Sequence, residues 1–316
     1  MKFKHKVVNY YHLEESKSII DGKKKGQILS KIDKKFEDTF NLLKDNKSDE
    51  IDSVKIKDNT YYICAMDKGY SKDPDNGKSF AWLISISRLD PNKKVEVGDM
   101  AQKKVDKRNR PIKINPSEGL VVETQFLYDP VTHVFATIRT TGGMNIQLLK
   151  SFLLKFCDVR GITFAIIPDK DGLKDINNMV AGSKVTYKIA QIDALKNLRD
   201  PNRSELADIE YAEEIGGREM EITIVAGEGN LNIKGVKNKL SFLFKHSEEL
   251  HVKKLQAQIK NADGIEEPLD LIQHKFKTEG DLEFDNRITD KNVMEFLDTQ
   301  YGQVYSSLAN LLRTEN

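Results

Sequence analysis

Apolar residues recur every three or four positions over residues 26–45, where Ile28, Leu29, Ile32, Phe36, Phe40 and Leu43 are separated by Lys and Asp. That period predicts an amphipathic helix. The pattern then changes. Residues 55–66 and 80–89 read as two strands, with a stretch dense in turn residues, 68–77, between them. Residues 90–115 are polar and basic and read as a long exposed excursion. Strands at 120–128 and 131–139 flank Asp129-Pro130, the second alternating face by face. Thr140-Thr-Gly-Gly143 ends it, and Ile146, Leu148, Leu149, Phe152, Leu153 and Phe156 predict a helix over 145–156.

Beyond that helix the chain predicts strands at 162–168 and 185–192 with a short helix at 172–180 between them. A polar helix at 204–215 precedes a strand at 219–226. A Lys-rich helix follows at 232–246, and a long hairpin over 251–276 turns at Asn261-Ala-Asp-Gly264. The last element is a helix over 290–313 with the stripe Val293, Phe296, Leu297, Tyr301, Val304, Leu308 and Leu311. Strands and helices interleave, yet several strands meet through tight turns. The fold class expected is therefore α+β, with mixed, largely antiparallel sheets, packed helices and a long C-terminal helix. Three regions are expected: 1–145, an N-terminal α+β region; 146–216, a middle subdomain; and 217–316, a C-terminal region packing back on the first.

Composition narrows the class. The 316 residues carry 50 basic and 49 acidic side chains, a formal net charge of +1, which excludes a uniformly basic protein. No stretch approaches the ~18 apolar residues of a membrane span, and the basic start, Met1-Lys-Phe-Lys-His-Lys6, runs into polar residues unlike a signal peptide. Cys64 and Cys157 lie in apolar surroundings and fit free thiols in a reducing cytoplasm.

Catalytic patterns are scarce. The six histidines form no HxxH or HExxH pair, and neither a nucleophile elbow nor a GxxxxGK[ST] loop occurs. Thr140-Thr-Gly-Gly143 before a helix is better read as a glycine corner than as a phosphate cradle. Asp169-Lys-Asp171-Gly172 lacks the later ligands of a calcium loop. Gln258-Ile-Lys260 is the nearest match to a carboxylate–lysine nuclease pattern, without the converging acids such chemistry needs. No cofactor, metal or catalytic residue is therefore assigned.

Charge is segregated along the chain. Residues 1–35 hold ten Lys against four acids, and residues 217–260 hold seven Lys and one Arg against five. Lys103, Lys104, Lys107, Arg108 and Arg110 form a run, whereas residues 261–316 hold five bases against twelve acids. Basic stripes of this kind attract phosphate backbones without reading sequence. Neither an aromatic platform for single strands nor a helix-turn-helix accompanies them.

The stretch Gly182-Ser-Lys-Val-Thr-Tyr-Lys-Ile-Ala190, then Glu219-Met-Glu-Ile-Thr-Ile-Val225, the basic helix, the Asp-Gly hairpin and the terminal helix opening at Thr289-Asp-Lys-Asn form an order of elements over 55–313. That order resembles the RexA-like phage-exclusion proteins and, more distantly, the KwaB-like defence proteins and the ring-forming RdgC fold. The resemblance implies a homodimer that binds double-stranded DNA without sequence preference, in phage exclusion, and places Lys234, Lys237, Lys239 and Lys245 on the DNA-binding helix. The basic excursion at 90–115 and the acidic C-terminal third depart from that pattern and leave the DNA path open.

The expectation is thus a cytoplasmic homodimer binding duplex DNA through Lys234, Lys237, Lys239, Lys245, Lys103, Lys104, Lys107, Arg108 and Arg110, with an operon-encoded or membrane partner as a further candidate. Two rivals stand beside it. One is a metal-dependent nuclease using Lys260. The other is an interaction subunit that senses a phage component and docks through 261–316.

Overall fold

The computed structural model describes residues 1–15, 26–69, 81–90, 96–98, 109–111, 120–169, 171–172, 176–177, 179–190, 192, 207–260 and 266–314. Two large sheets, a two-stranded ribbon and five helices organise these residues into an α+β protein, as the interleaved pattern predicts.

The first strand, β1 (Lys2–Glu15), is the spine of the larger sheet. Along one side it pairs antiparallel with β8 (Val134–Ile138). Along the other it pairs first with β14 (Lys277–Phe284) and then with β9 (Ile162–Ile166), which lie end to end. A bridge between Pro168 and Lys275 joins those two partners. From β8 the sheet continues through β7 (Leu120–Asp129), β4 (Ala81–Asp90), β3 (Asn59–Gly69) and β2 (Val54–Ile56). Residues 55–66, read as one strand, are thus a hairpin. The polar pair Lys57-Asp58 turns the chain, with Lys57 at φ 54, and Val54, Ile56, Tyr61 and Ile63 still reach one core.

Two layers of helix cover this sheet. On one face lie α1 (Gln27–Lys44) and α2 (Ile146–Phe156), whose Ile32, Phe36, Phe152 and Leu153 meet Trp82, Ile84, Phe126 and Tyr128. Asn145 starts α2 by accepting the Leu148 N–H at 2.9 Å. On the other face lies the terminal helix, α5 (Asp290–Thr314), whose Val293, Leu297, Tyr301 and Leu308 meet Val8, Tyr10, Leu127 and Leu282. Each such side chain taken fully out of water contributes about 1.5–3 kcal/mol. Neighbouring residues of β7 bind both layers. The Tyr128 hydroxyl donates to Asp33 of α1 at 2.7 Å, and the Tyr301 hydroxyl donates to Asp129 at 2.6 Å. Burial is the chief cause pushing Asp33 up to about 6.

The smaller sheet runs β11 (Met220–Val225), β10 (Ala181–Ile189), β12 (Val252–Lys260), β13 (Glu266–Asp270). One face packs on α3 (Ala207–Glu214) and α4 (Ile233–Lys245) through Val185, Tyr187, Leu255, Ile209, Leu240 and Leu243. The other face carries Lys184, Lys188, Lys254, Gln256 and Gln258. The hairpin expected to reach residue 276 ends at Asp270; a 3-10 turn, Leu271–Gln273, then carries the chain to the first sheet. The sheets also divide the chain differently from the three-part reading. α2 and β9 belong with the first sheet, β10 begins the second, and β14 with α5 packs back on β1.

Of the excursion at 90–115, two short paired strands are described, β5 (Glu96–Gly98) and β6 (Asn109–Pro111). Residues 70–77 of the expected turn, the 261–264 hairpin tip, residues 173–175 and 178, and residues 193–206 lie outside the described residues. No helix is long and apolar enough to cross a membrane among the described residues.

Candidate nucleic-acid interface

The lysines of α4 do not form an open row. Leu240, Leu243 and Phe244 take one side of the helix into the core, and the neighbouring lysines are drawn into contacts within the chain. Lys237 donates to the Asn177 carbonyl at 2.7 Å. Lys239 pairs with Asp208 of α3 at 2.6 Å and lies 5.0 Å from the centre of the Tyr187 ring. Tyr187 also donates to Asp208, so one carboxylate ties helix, helix and sheet together. Lys245 pairs with Glu14 of β1 at 2.9 Å. Burial pushes Glu14 up, but the hydrogen bond from His12 and the charge of Lys245 outweigh it and hold the carboxyl down at about 2. Lys234 alone of the four is exposed with no such partner among the described residues.

Three of the four basic side chains of the helix thus reach partners within the chain. Lys103, Lys104, Lys107 and Arg108 lie outside the described residues. Arg110 falls within β6, where the backbone alone is described.

A different basic row stands on β1. Lys2, Lys4 and Lys6 alternate onto the face that α5 covers further along, opposite Phe284, Leu282 and Gly280 of β14. Successive members of such a row stand roughly 6.6–6.8 Å apart along the strand. None has a carboxylate partner among the described residues, and Lys2 and Lys4 are exposed. Burial lowers the Lys6 ammonium from its ordinary value, and repulsion from Lys4 lowers it further. The opposite face of the same two strands is acidic: Glu279, Asp281 and Glu283 stand on β14, with His5 3.4 Å from Asp281 and 3.6 Å from Glu279. The sequence signal for this row was the period-two Lys-x-Lys-x-Lys of residues 2–6, hidden inside the count of ten lysines over 1–35.

Between the sheets lies a buried polar seam. Glu249 accepts from Lys150 of α2 and Thr163 of β9, and His246 lies 3.7 Å away. Burial raises the Glu249 carboxyl, and the nearby His246 and the Lys150 charge bring it below its ordinary value. Lys275 donates to Glu248 at 2.8 Å. These pairs fasten the smaller sheet to the larger.

Among the described residues, one group could hold a metal: Cys64 of β3, Glu123 of β7 and Asp290 of α5, with ligand atoms within 4.8 Å of one another. Asp290 is already occupied by Ser85 at 2.6 Å and Gln125 at 2.9 Å. A hydrogen bond with Asp290 is the main cause raising the Glu123 carboxyl to about 7, and burial adds to it. This arrangement anchors the first turn of α5 to the sheet. The nuclease pattern gains nothing comparable, since Gln258 faces Lys184 and Pro268, and the Lys260 side chain lies outside the described residues. The glycine corner is confirmed in its structural role: Thr124 Oγ1 fills the place of a Gly143 side chain and accepts the Met144 N–H at 2.7 Å.

Fold and site together define an α+β protein with a lysine row on the first strand of its larger sheet, without carboxylate partners among the described residues. The chain belongs to the family described as a family of unknown function, DUF6731, whose pattern it matches over residues 64–308. No curated protein matches it.

Proposed function

We propose that this protein binds double-stranded DNA through its phosphate backbone, without strong sequence preference, as a homodimer acting in phage exclusion. The observation that carries the reading is the row Lys2, Lys4 and Lys6: three ammonium groups on one strand face with no carboxylate to neutralise them among the described residues. Uncompensated charge spaced along a rigid strand is what a phosphate backbone rewards through counterion release. Lys234, exposed on α4, and the basic run Lys103–Arg110 add candidate contacts. The phage-exclusion setting rests on the resemblance of the element order to RexA-like and KwaB-like proteins.

The test is fluorescence anisotropy with two unrelated 30-base-pair duplexes over a salt series. Both should bind alike at low salt, and the logarithm of the association constant should fall linearly with that of salt. Engagement of the β1 row alone accounts for a slope of about −3. Absence of binding at low salt refutes the reading.

A further inference from the structure

The sheet edges of this protein are not protected equally. The edge of the larger sheet at β2 is three residues long, and β14 at its other edge carries alternating carboxylates. In the smaller sheet β13 carries Pro268, which offers no N–H. Short, charged or proline-bearing edges resist pairing with another strand. The remaining end of that sheet, β11, is six residues long and carries a single charged side chain, Glu221. Met220-Glu-Ile-Thr-Ile-Val225 contains no proline, no lysine and no bulge against β10. Ile224 is 46% exposed and Val225 62% exposed, and Tyr211 and Ile215, just before the strand, are exposed as well.

The backbone phase of this edge is fixed. The Ala226 N–H donates inward to the Ser183 carbonyl at 2.8 Å, in register with the β10–β11 ladder. Alternation then turns the N–H and C=O groups of the odd-numbered residues, Glu221, Thr223 and Val225, outward. Among the described residues no strand receives them.

We infer that β11 is the contact between two copies of this chain, paired antiparallel about a two-fold axis through Thr223. The sequence is self-complementary in that register. Thr223 meets Thr223 of the second copy, and Ile222 meets its Ile224, so the isoleucines gather on the helix-covered side. Glu221 meets Val225 and stays clear of its own symmetry mate. Three consecutive outward-facing positions become hydrogen-bonded pairs. Arg218 and Glu228 lie just beyond opposite ends of β11, so each comes near the other of the second copy, twice by symmetry; both side chains are exposed, and neither has a partner among the described residues. A register shifted by one residue would place Ile222 opposite Thr223, on opposite faces, and lose this match. The two smaller sheets then continue as one sheet of eight strands. This interface gives the homodimer of the proposed function its contact surface, and it stands or falls without DNA.

The decisive measurement is site-specific cross-linking of the full chain in the absence of DNA. Thr223→Cys should yield a disulfide-linked dimer under mild oxidation, because the two sulfurs face each other on the axis. Glu221→Cys should yield little, since its symmetry mate lies about 13 Å further along the strand pair. Wild type, with Cys64 and Cys157 alone, supplies the background. Light scattering should show a wild-type dimer and an Ile224→Lys monomer with an unchanged circular dichroism spectrum. Arg218→Glu should weaken the dimer about tenfold, and adding Glu228→Arg should restore it. Equal cross-linking at 221 and 223, a monomeric wild type, or no rescue by the charge swap overturns the interface. Gel shifts on the same proteins separate the two readings: a cross-linked dimer that ignores DNA retains the interface and sinks the proposed function. A DNA binder that never cross-links at 223 does the reverse.

Discussion

Two lysine-rich regions of this protein have nearly the same composition and opposite situations. On α4, Lys237, Lys239 and Lys245 reach Asn177, Asp208 and Glu14 and act as fasteners between elements. On β1, Lys2, Lys4 and Lys6 share one strand face and meet no acid among the described residues, because the carboxylates of β14 point to the other side. The difference follows from geometry. A helix that packs by one stripe places its flanking lysines over neighbouring elements, where long side chains bend to whatever acceptor is near. A strand holds alternate side chains rigidly on opposite faces, so charges of unlike sign can sit on paired strands and never meet. Lysine content is therefore a poor guide to an anion-binding surface, and the location of the acids is a better one.

If the contrast is real, changes in the two regions have different signatures. The largest effect is expected from replacing Lys2, Lys4 and Lys6 together by Glu. DNA affinity should fall roughly a hundredfold at moderate salt, and the salt slope should shrink by about 3. The urea midpoint should move little. An unchanged slope in anisotropy titrations would remove the β1 row from the interface.

Next, Lys239→Ala should lower unfolding free energy by about 2 kcal/mol in urea titrations, since it leaves Asp208 partly buried and short of its cation. Its DNA affinity should stay within a factor of about two. A large loss of affinity without loss of stability would return α4 to the DNA surface.

Lys245→Ala should act through pH. The Glu14 carboxyl stands at about 2 in the folded chain against an ordinary 4.5. Its stabilisation is thus fully present above pH 4.5 and is lost as pH falls from there toward 2. Without Lys245 the folded value should rise, which lowers stability at pH 7 and flattens the acid limb between those values. Urea denaturation at pH 2.5, 4 and 7 reads both changes, and parallel curves for variant and wild type would count against the pair.

The smallest effect concerns Lys6. Lys4→Ala should raise the Lys6 ammonium toward its ordinary value by removing a like charge, as read by nitrogen NMR of the side chain. No movement would mean that the two ammonium groups do not share a face.

Much of this architecture was legible in the sequence. The helices α1, α2, α4 and α5 declared themselves because each has a core-facing stripe over at least three turns. β8 did so through its alternation, although the strand starts at Val134 and 131–133 form the turn, and β7 did so as the strand before Asp129-Pro130. The first strand did not. β1 begins with alternating lysines and shows strand-like apolar positions only from Val7 onward, and its partner β14 buries Leu282 alone among its eight side chains. A pair that is polar on both faces near its end carries almost no hydrophobic period to read. The site was legible to the same extent. Basic runs could be counted, but whether a lysine is free depends on acids such as Asp208 and Glu14, far away in sequence and near in space.

Tyr128 and Asp129 bind helices on opposite sides of one strand, and a slip of β7 by a single residue would exchange them. The phenol would then meet the layer of α5 and the carboxylate the layer of α1, so both helices would lose their anchors at once. The dipeptide thus works as a checksum on strand register: the two helices nearest the ends of the chain can dock only on a sheet that has paired correctly.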